Sequence, residues 1–518
     1  MIAGWFQASK ARRCQFLLPV LIAGCLAAAA SGQRAVRARP PAVAGQFYPA
    51  DAARLKLAVA RLMEDALPPR GLKAVALVVP HAGYLYSGQT CADGYNQVKG
   101  RGYETIVVLG ANHTSADLTG ISVYANGAWR TPLGDVPIDE DLARSLLTQD
   151  PDCTADTSAQ EKEHSIEVQL PFIQTLFPEA RIVPVVIGMP EPAMCSRFGD
   201  TLAKAAKGKR VLIVASSDLS HFPAYEDAVN VDRQTLEAAA GMDPGLFAGR
   251  IRRLMGHNIR NLGTCACGEA PILAAMAAAR GLGAARGVVV SYCNTGDVVA
   301  EDRSRVVGYG AVVFAAGPGE ADTKALDRPK PAPPPAPLQA ADRRALLDLA
   351  RASLQRFLAT ETVPRPRHLA PRLLTPQGVF VTLKRHGELR GCIGHLPGDF
   401  PVGLTTAWMA VQAGVNDPRF PPVSLKELPG LEIEISVMTP MKPVAGAGDI
   451  VAGRDGVVLR KGGRSAVFLP QVAAEQGWGL TEMLDNLCLK AGLTPGCWKS
   501  GAQFTVFQAE VFSERQFK

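Results

Sequence analysis

AVALVVPHAGYLYSG, residues 74–88, is a run of six apolar residues closed by Pro80 and followed at once by His81. An unbroken Ala/Val/Leu run without polar alternation predicts a strand covered on both faces. Pro80 fixes the exit from that strand, Gly83 permits a tight turn, and His81 presents its imidazole at the carboxyl end. The pattern recurs twice. TIVVLG (105–110) leads to His113, and RVLIVAS (210–216) leads to His221. Further strands are predicted at RIVPVVIG (181–188), GVVVSY (287–292) and VVGYGAVVF (306–314), with helices at residues 51–67 and 231–240. The alternation predicts a three-layer α/β domain over residues 39–316, its sheet mostly parallel or mixed. Ligands of open α/β sheets bind beyond the strand carboxyl ends, so the three histidines are expected in one cleft. One histidine after a strand is ordinarily a loop hydrogen-bonder; three in the same position argue against that reading.

Residues 317–342 carry seven prolines and almost no large apolar side chains, the composition of a semi-rigid linker. Beyond it, residues 343–518 start with a leucine-patterned helix and continue into GVFVTLKRHGELRGCIG, LEIEISVMTP and DGVVLRKGGRSAVFLP. A late helix, TEMLDNLCLKAGL, and a closing strand, FTVFQAEVF, complete an α+β domain. The whole chain has 518 residues, 47% hydrophobic and 20% charged, which excludes a disordered protein and a bundle of membrane helices.

The net charge of +7 is concentrated at the start. Lys10, Arg12, Arg13, Arg34, Arg37 and Arg39 are unaccompanied by any acid, and setting them aside leaves 49 basic residues against 48 acidic. No nucleic-acid partner is therefore expected. The basic patch precedes QFLLPVLIAGCLAAAA, so residues 1–33 are expected to direct export to the periplasm or a membrane anchor. Cys25, in IAGC, is the candidate lipid anchor; cleavage near Ala28–Ser31 is the alternative, and a misplaced start codon would leave the protein cytoplasmic. Of 11 cysteines, nine lie outside the leader, with no Cys-x-x-Cys, so neither a disulfide framework nor a zinc ribbon is expected.

Four further features carry chemistry. SSDLSH places Asp218 three residues before His221, a spacing that suits a carboxylate orienting an imidazole. EKEHSIEVQLPF sets His164 and Glu167 on one face at a helix start, as a catalytic pair or as a local cap. In TCACGEAPI, Cys267 lies at a helix N-terminus, which favours the thiolate. Two imidazoles and a thiolate suit iron, copper or zinc, whereas most free cysteines are simply buried. In the second domain, LRGCIG offers Arg390 as an anion-binding fork, with Gly391 and Gly394 bracketing Cys392; a glycine-rich turn with a buried cysteine is the plainer reading.

PHAGYLYSG, LGANH, EHSIEVQLPF, SSDLSH and the cysteine of ACGEAPI resemble the Memo family, also called AmmeMemoRadiSam system protein B, over residues 39–314. The resemblance implies a fold like that of class III extradiol dioxygenases and a metal site at the strand ends. Carried over motif by motif, His81, His113 and Cys267 are the implied ligands and His221 the implied acid/base, with Asp218 and His164 beside it. The implied cofactor is iron or copper, ahead of zinc. Dioxygenases use a carboxylate where this chain has Cys267, so ring cleavage does not follow from the fold; Glu269 is the alternative carboxylate. Memo proteins are also described as adaptors, which leaves a non-catalytic peptide- or ligand-binding cleft as the competing reading. LRGCIGHL, NDPRFPPV, LEIEISVMTP and DGVVLRKGGRSAVFLPQVA resemble the AMMECR family, or AmmeMemoRadiSam system protein A. The system's third member, a radical-SAM protein, is the implied partner, and a small molecule or peptide the implied substrate.

Overall fold

The computed structural model describes residues 38–327, 336–366 and 369–517. The expected leader, Cys25 included, and the middle of the Pro-rich segment lie outside them.

The buried runs of the first domain form β1 (Lys73–Val79), β2 (Thr105–Ala111), β3 (Ile121–Val123), β4 (Cys153–Thr154), β5 (Arg181–Ile187), β6 (Val211–Ser216), β7 (Ala284–Asn294) and β8 (Gly308–Ala316). They build one eight-stranded sheet in the order β7-β8-β1-β6-β2-β5-β3-β4. The central strands β1, β6, β2 and β5 run parallel, while β8 pairs antiparallel with both β7 and β1. Because β1, β2 and β6 are adjacent and parallel, His81, His113 and His221 leave the sheet at the same edge. The short strands β3 and β4 carry too few residues to show a periodicity.

Eight helices accompany this sheet: α1 (Ala52–Glu64), α2 (Tyr84–Asn96), α3 (Glu140–Gln149), α4 (Leu170–Leu176), α5 (Pro192–Ala206), α6 (Tyr225–Ala240), α7 (Pro244–Met255) and α8 (Glu269–Gly281). Helix α8, six of whose residues are alanine, is buried against β1, β2 and β6 and against α5. Small residues make that approach close. A Cβ on Gly199 of α5 would come within 2.5 Å of the Ala277 methyl and 2.6 Å of the Ala274 carbonyl. The expected helix at His164 begins later, at Glu167, and leaves His164 on a loop.

The second domain contains α9 (Ala340–Thr360), α10 (Val402–Val415), α11 (Pro470–Gln476) and α12 (Leu480–Lys490). Its strands are β9 (Val379–Arg385), β10 (Glu388–His395), β11 (Leu431–Met438), β12 (Lys442–Val444), β13 (Gly456–Lys461), β14 (Arg464–Phe468), β15 (Gln503–Phe507) and β16 (Ala509–Ser513). They form two four-stranded sheets, β10-β9-β11-β16 and β12-β15-β13-β14. Contrary to the expectation from cysteine spacing, Cys488 of α12 is disulfide-bonded to Cys497, nine residues on. The chain turns back after α12 and brings the two thiols together, a proximity that no Cys-x-x-Cys pattern signals. Cys91, Cys153, Cys195, Cys265, Cys267, Cys293 and Cys392 are free.

The described residues belong to one compact unit, and its two domains share a hydrophobic core. Cys293, Val298 and Tyr309 from the first domain pack in one cluster with Leu346, Leu347 and Trp408 from the second.

Candidate metal centre

His81, two residues beyond β1, is 2% exposed. Its loop is held by Asp218, whose Oδ1 accepts from the backbone N–H of His81 at 2.7 Å and of Ala82 at 3.2 Å. The imidazole Nδ1 lies 3.1 Å from Ser216 Oγ. That hydroxyl spends its one proton on the Ser165 carbonyl at 2.6 Å and accepts from Gln169 Nε2 at 2.9 Å. Ser216 Oγ must therefore accept from His81 Nδ1–H, which places the lone pair on Nε2. Nε2 faces Cys267 Sγ at 3.1 Å.

His113 reaches the same tautomer by another route. Its Nδ1 is 2.9 Å from Glu163 Oε1, an acceptor, so Nδ1 carries the hydrogen and Nε2 is free. Glu163 is fully buried and its carboxylate also accepts from the backbone N–H groups of His113 (2.7 Å), His164 (2.9 Å) and Ser165 (2.8 Å). Sequence reasoning missed this residue: EKEHSIE surrounds Glu163 with five other polar residues, and nothing in the string says which one turns inward.

His164 stacks on His113 with ring centroids 4.6 Å apart and meets His81 edge-on at 5.4 Å. His113 and His164, with 27% and 20% of their side chains exposed, form the open side of the site. Glu167 does not pair with His164. It is buried against Arg39 (2.7 Å), the Tyr48 hydroxyl (2.6 Å) and the N–H groups of Ala42 and Val43, and so pins down the segment that enters the domain.

His221 sits between two single bridges, to Val307 and to Thr264, and is followed by Phe222 at φ 73°. Asp218 does not orient it, because the Asp218 hydrogen bonds go to the His81 loop. The His221 loop is held instead by Asp232, whose Oδ1 accepts from Ser220 N at 2.8 Å. His221 Nε2 is buried and has no hydrogen-bond partner.

The donor atoms of His81, His113 and Cys267 all lie within 4.8 Å of one another, as do those of Asp218, His221 and Cys267, and those of His113, Glu163 and His164. Glu269 is absent from these groups. It opens α8, its charged neighbour is Arg252, and the neutral thiols of Cys195 and Cys265 lie nearby.

Burial and mutual repulsion hold His81 well below the ordinary imidazole range. Burial likewise lowers His164 and His221 to about 4. All three are neutral at pH 7, the state a cation needs. Burial opposes charge on His113 and on Glu163 too, yet their hydrogen bond prevails, raising His113 and lowering Glu163 to about 2. Asp218 rises to about 6 through burial, against the pull of the two N–H groups. Cys267 departs from the helix-terminus expectation. Burial and the nearby Asp218 charge push its thiol well above the usual value, so Sγ holds its proton until a cation displaces it.

In the second domain, Arg390, Gly391, Cys392 and Gly394 lie within β10, not at a turn. Arg390 is not a free fork: it pairs with Glu427 at 2.5 and 3.1 Å. The glycines serve close approach, since a Cβ at Gly391 would meet the Ala413 carbonyl at 2.2 Å and one at Gly394 the Phe380 ring at 2.2 Å. Cys392 is half-buried, its N–H donating to Asp417 at 2.8 Å and its sulfur receiving Thr382 Oγ1 at 3.3 Å.

Comparison with known proteins agrees with this division. A MEMO1 family protein of Methanopyrus kandleri is 36% identical over 291 residues, covering 54% of this chain and 99% of that protein. One from Aquifex aeolicus is 37% identical over 281 residues, covering 54% and 100%. The solved structure of an uncharacterized protein from Pyrococcus horikoshii is 39% identical, covers 32% of this chain and 89% of its own, and gives a TM-score of 0.32. Residues 347–512 match the AMMECR1 family model and residues 39–313 the model described as Memo-like protein. The chain belongs to the Memo-like protein family and carries an AMMECR1 domain in its C-terminal part.

Proposed function

We propose that the first domain is a metal-dependent, dioxygenase-like redox protein whose ion is held by His81 Nε2, His113 Nε2 and Cys267 Sγ. The AMMECR1 domain is its fused accessory. The observation that carries this reading is that Ser216 and Glu163 each fix an imidazole with its unprotonated nitrogen available to the same small volume. A parallel-centred sheet with the site at its carboxyl edge supports the three-layer architecture of class III extradiol dioxygenases. When bound, iron or copper supplies one-electron redox chemistry and Lewis acidity, whereas zinc supplies only the second. The chain's own contribution is to orient and to move protons. His221, neutral and with Nε2 unpartnered, accepts a proton from a substrate hydroxyl. Asp218 keeps His81 in place, and His164 lines the entrance.

The competing reading, a non-catalytic cleft for a peptide or small ligand, draws on the protonated Cys267 thiol. Metal analysis of the full chain, followed by oxygen consumption with catechols, separates the two. Cys267→Ala should lose most of the metal with the fold intact, and His221→Ala should keep metal and lose turnover. Undiminished metal in Cys267→Ala would rule out the ligand set.

The Cys488–Cys497 disulfide supports export to an oxidising compartment. There, two imidazoles and a thiolate would favour copper over iron on intrinsic affinity. Recovery of the protein from the cytosol with Met1 retained would defeat that part. A radical-SAM protein of the same system is the proposed partner, to be tested by co-purification.

A further inference from the structure

A cavity of about 180 Å³ lies where the two domains meet. The segment that follows the His81 loop supplies Leu85 and Tyr86 to one wall, and α10 supplies Leu404 and Trp408 to the other. The lining is largely apolar, but three polar side chains in it are incompletely used. Gln89 is 5% exposed; its Nε2 donates to the Leu62 carbonyl at 3.0 Å, which fixes the amide, and its Oε1 is buried without any partner. Arg303 Nε is likewise buried and unpartnered, while Nη1 donates to the Asp399 carbonyl at 2.8 Å, Nη2 to the Gly296 carbonyl at 3.4 Å, and the guanidinium lies over the Tyr225 and Phe400 rings. Arg365 makes two long bonds, 3.3 Å to Thr90 Oγ1 and 3.4 Å to the Tyr292 carbonyl, with the Cys293 thiol beside it and the Asp297 and Asp93 carboxylates acting on its charge from further off. Among the described residues, no carboxylate forms an ion pair with either arginine. The lining does include Asp297, which is already engaged by the Tyr225 hydroxyl at 2.6 Å and Asn294 N at 3.0 Å.

A buried acceptor without a donor and a buried N–H without an acceptor are both costly, and native proteins rarely keep them without a compensating partner. We infer that this cavity is a binding site for a small organic acid. Its apolar or aromatic body fills the space between Tyr86 and Trp408. Its carboxylate meets the Arg303 and Arg365 guanidinium groups. An O–H or N–H on the body donates to Gln89 Oε1. Uncharged apolar ligands would leave all three groups unsatisfied, and a cation would face two arginines. Because the AMMECR1 domain supplies twelve of the twenty lining residues, from Leu349 to Trp408, the site exists only with that domain docked on the Memo-like domain. It is separate from the histidine cluster and does not rest on the metal reading.

The test is calorimetry on the full chain in EDTA, with 4-hydroxyphenylacetate, indole-3-acetate and 2-hydroxy-4-methylpentanoate as probes. At least one should bind below about 10 mM. For the best probe, the isosteric amide, which lacks the charge, should bind about 10- to 100-fold more weakly. Arg365→Gln should weaken the acid about tenfold and leave the amide unchanged. Leu404→Trp, which fills the cavity, should abolish binding while thermal unfolding remains cooperative. If Leu404→Trp fails to fold, the Arg365→Gln comparison decides alone. Absence of binding by all three acids overturns the inference. So do equal affinities for acid and amide, or binding that needs metal and survives Leu404→Trp.

Discussion

Glu163→Gln is the substitution that most directly probes how the histidine cluster is held. The Glu163 carboxylate takes four N–H donors: Oε1 serves His113 Nδ1, His164 N and Ser165 N, while Oε2 serves His113 N. A glutamine can keep only one oxygen. If it keeps the first, its NH2 faces the His113 backbone N–H at the present 2.7 Å, donor against donor. The folded-state value of Glu163, about 2 against the ordinary 4.5, is worth about 3 kcal/mol of stability. An unsatisfied buried donor independently costs about 1–3 kcal/mol. The lowered value places that stability above pH 4.5 and removes it as pH falls toward 2. Urea denaturation should therefore show Glu163→Gln about 3 kcal/mol less stable at pH 7, with the gap closing below about pH 4. In EDTA, the His113 imidazole should titrate above 6.5 in the parent and below it in the variant. Burial is opposed chiefly by Glu163 in the first, and only by the Asp218 charge in the second. Metal affinity should fall about 10- to 100-fold. A His113 value that stays high in the variant would refute the reasoning, and so would unchanged affinity.

Two further substitutions test the buried charges around the site. Burial raises Asp232 to about 7, so the folded state loses on the order of 4 kcal/mol as pH rises from 4 to 7; Asp232→Asn should flatten that slope and be the more stable protein at pH 8 by chemical denaturation. Arg39→Ala strands Glu167, which is 0% exposed, and removes the guanidinium stacked 4.0 Å over Trp129; a loss of about 3–5 kcal/mol is expected, and a thermal midpoint within 2 °C (about 1 kcal/mol) of the parent would contradict it.

The long strands and the rim histidines were legible because apolar runs and strand-end positions are local features of the string. The carboxylates that build the site were legible only in part. Asp218, Glu163 and Asp232 each hold a histidine-bearing loop through backbone N–H groups: Asp218 at His81, Glu163 at His113, Asp232 at Ser220 beside His221. Asp218 stood out because it is three residues from His221, and that proximity suggested the wrong partner. Its actual partner is 137 residues away, across the β1–β6 pairing. Asp232 lies on α6 in a stretch that reads as an ordinary solvated helix, and Glu163 is one acid among several. The Cys267 thiol illustrates a second limit. A helix N-terminus lowers a thiol's pKa by a modest, local effect, whereas burial beside Asp218 raises it by more, and burial is a property of the assembled fold.

The linker composition invited a picture of two domains kept near one another by a tether, with effective concentration as its main consequence. The packing argues for something stronger. Interfaces between domains of one chain are usually polar and permit relative motion unless they are large and hydrophobic. Here a hydrophobic cluster runs through the junction. Its rim is stitched by Trp408 Nε1 to Glu301 at 3.0 Å, Arg303 to the Asp399 carbonyl at 2.8 Å and Arg54 to Glu361 at 2.9 Å. Separating the domains would expose Tyr309, Val298 and Leu347 together and break those bonds at the same time. One described end of the Pro-rich segment shares in this packing through the buried Leu338, while Leu326 at the other end is buried in the core of the first domain. A tether acts by raising the chance of encounter; a shared core removes the need for encounter. The AMMECR1 domain is thus a fixed wall of the Memo-like domain, set against the residues that directly follow its His81 loop, and any ligand held between them acts on both domains at once.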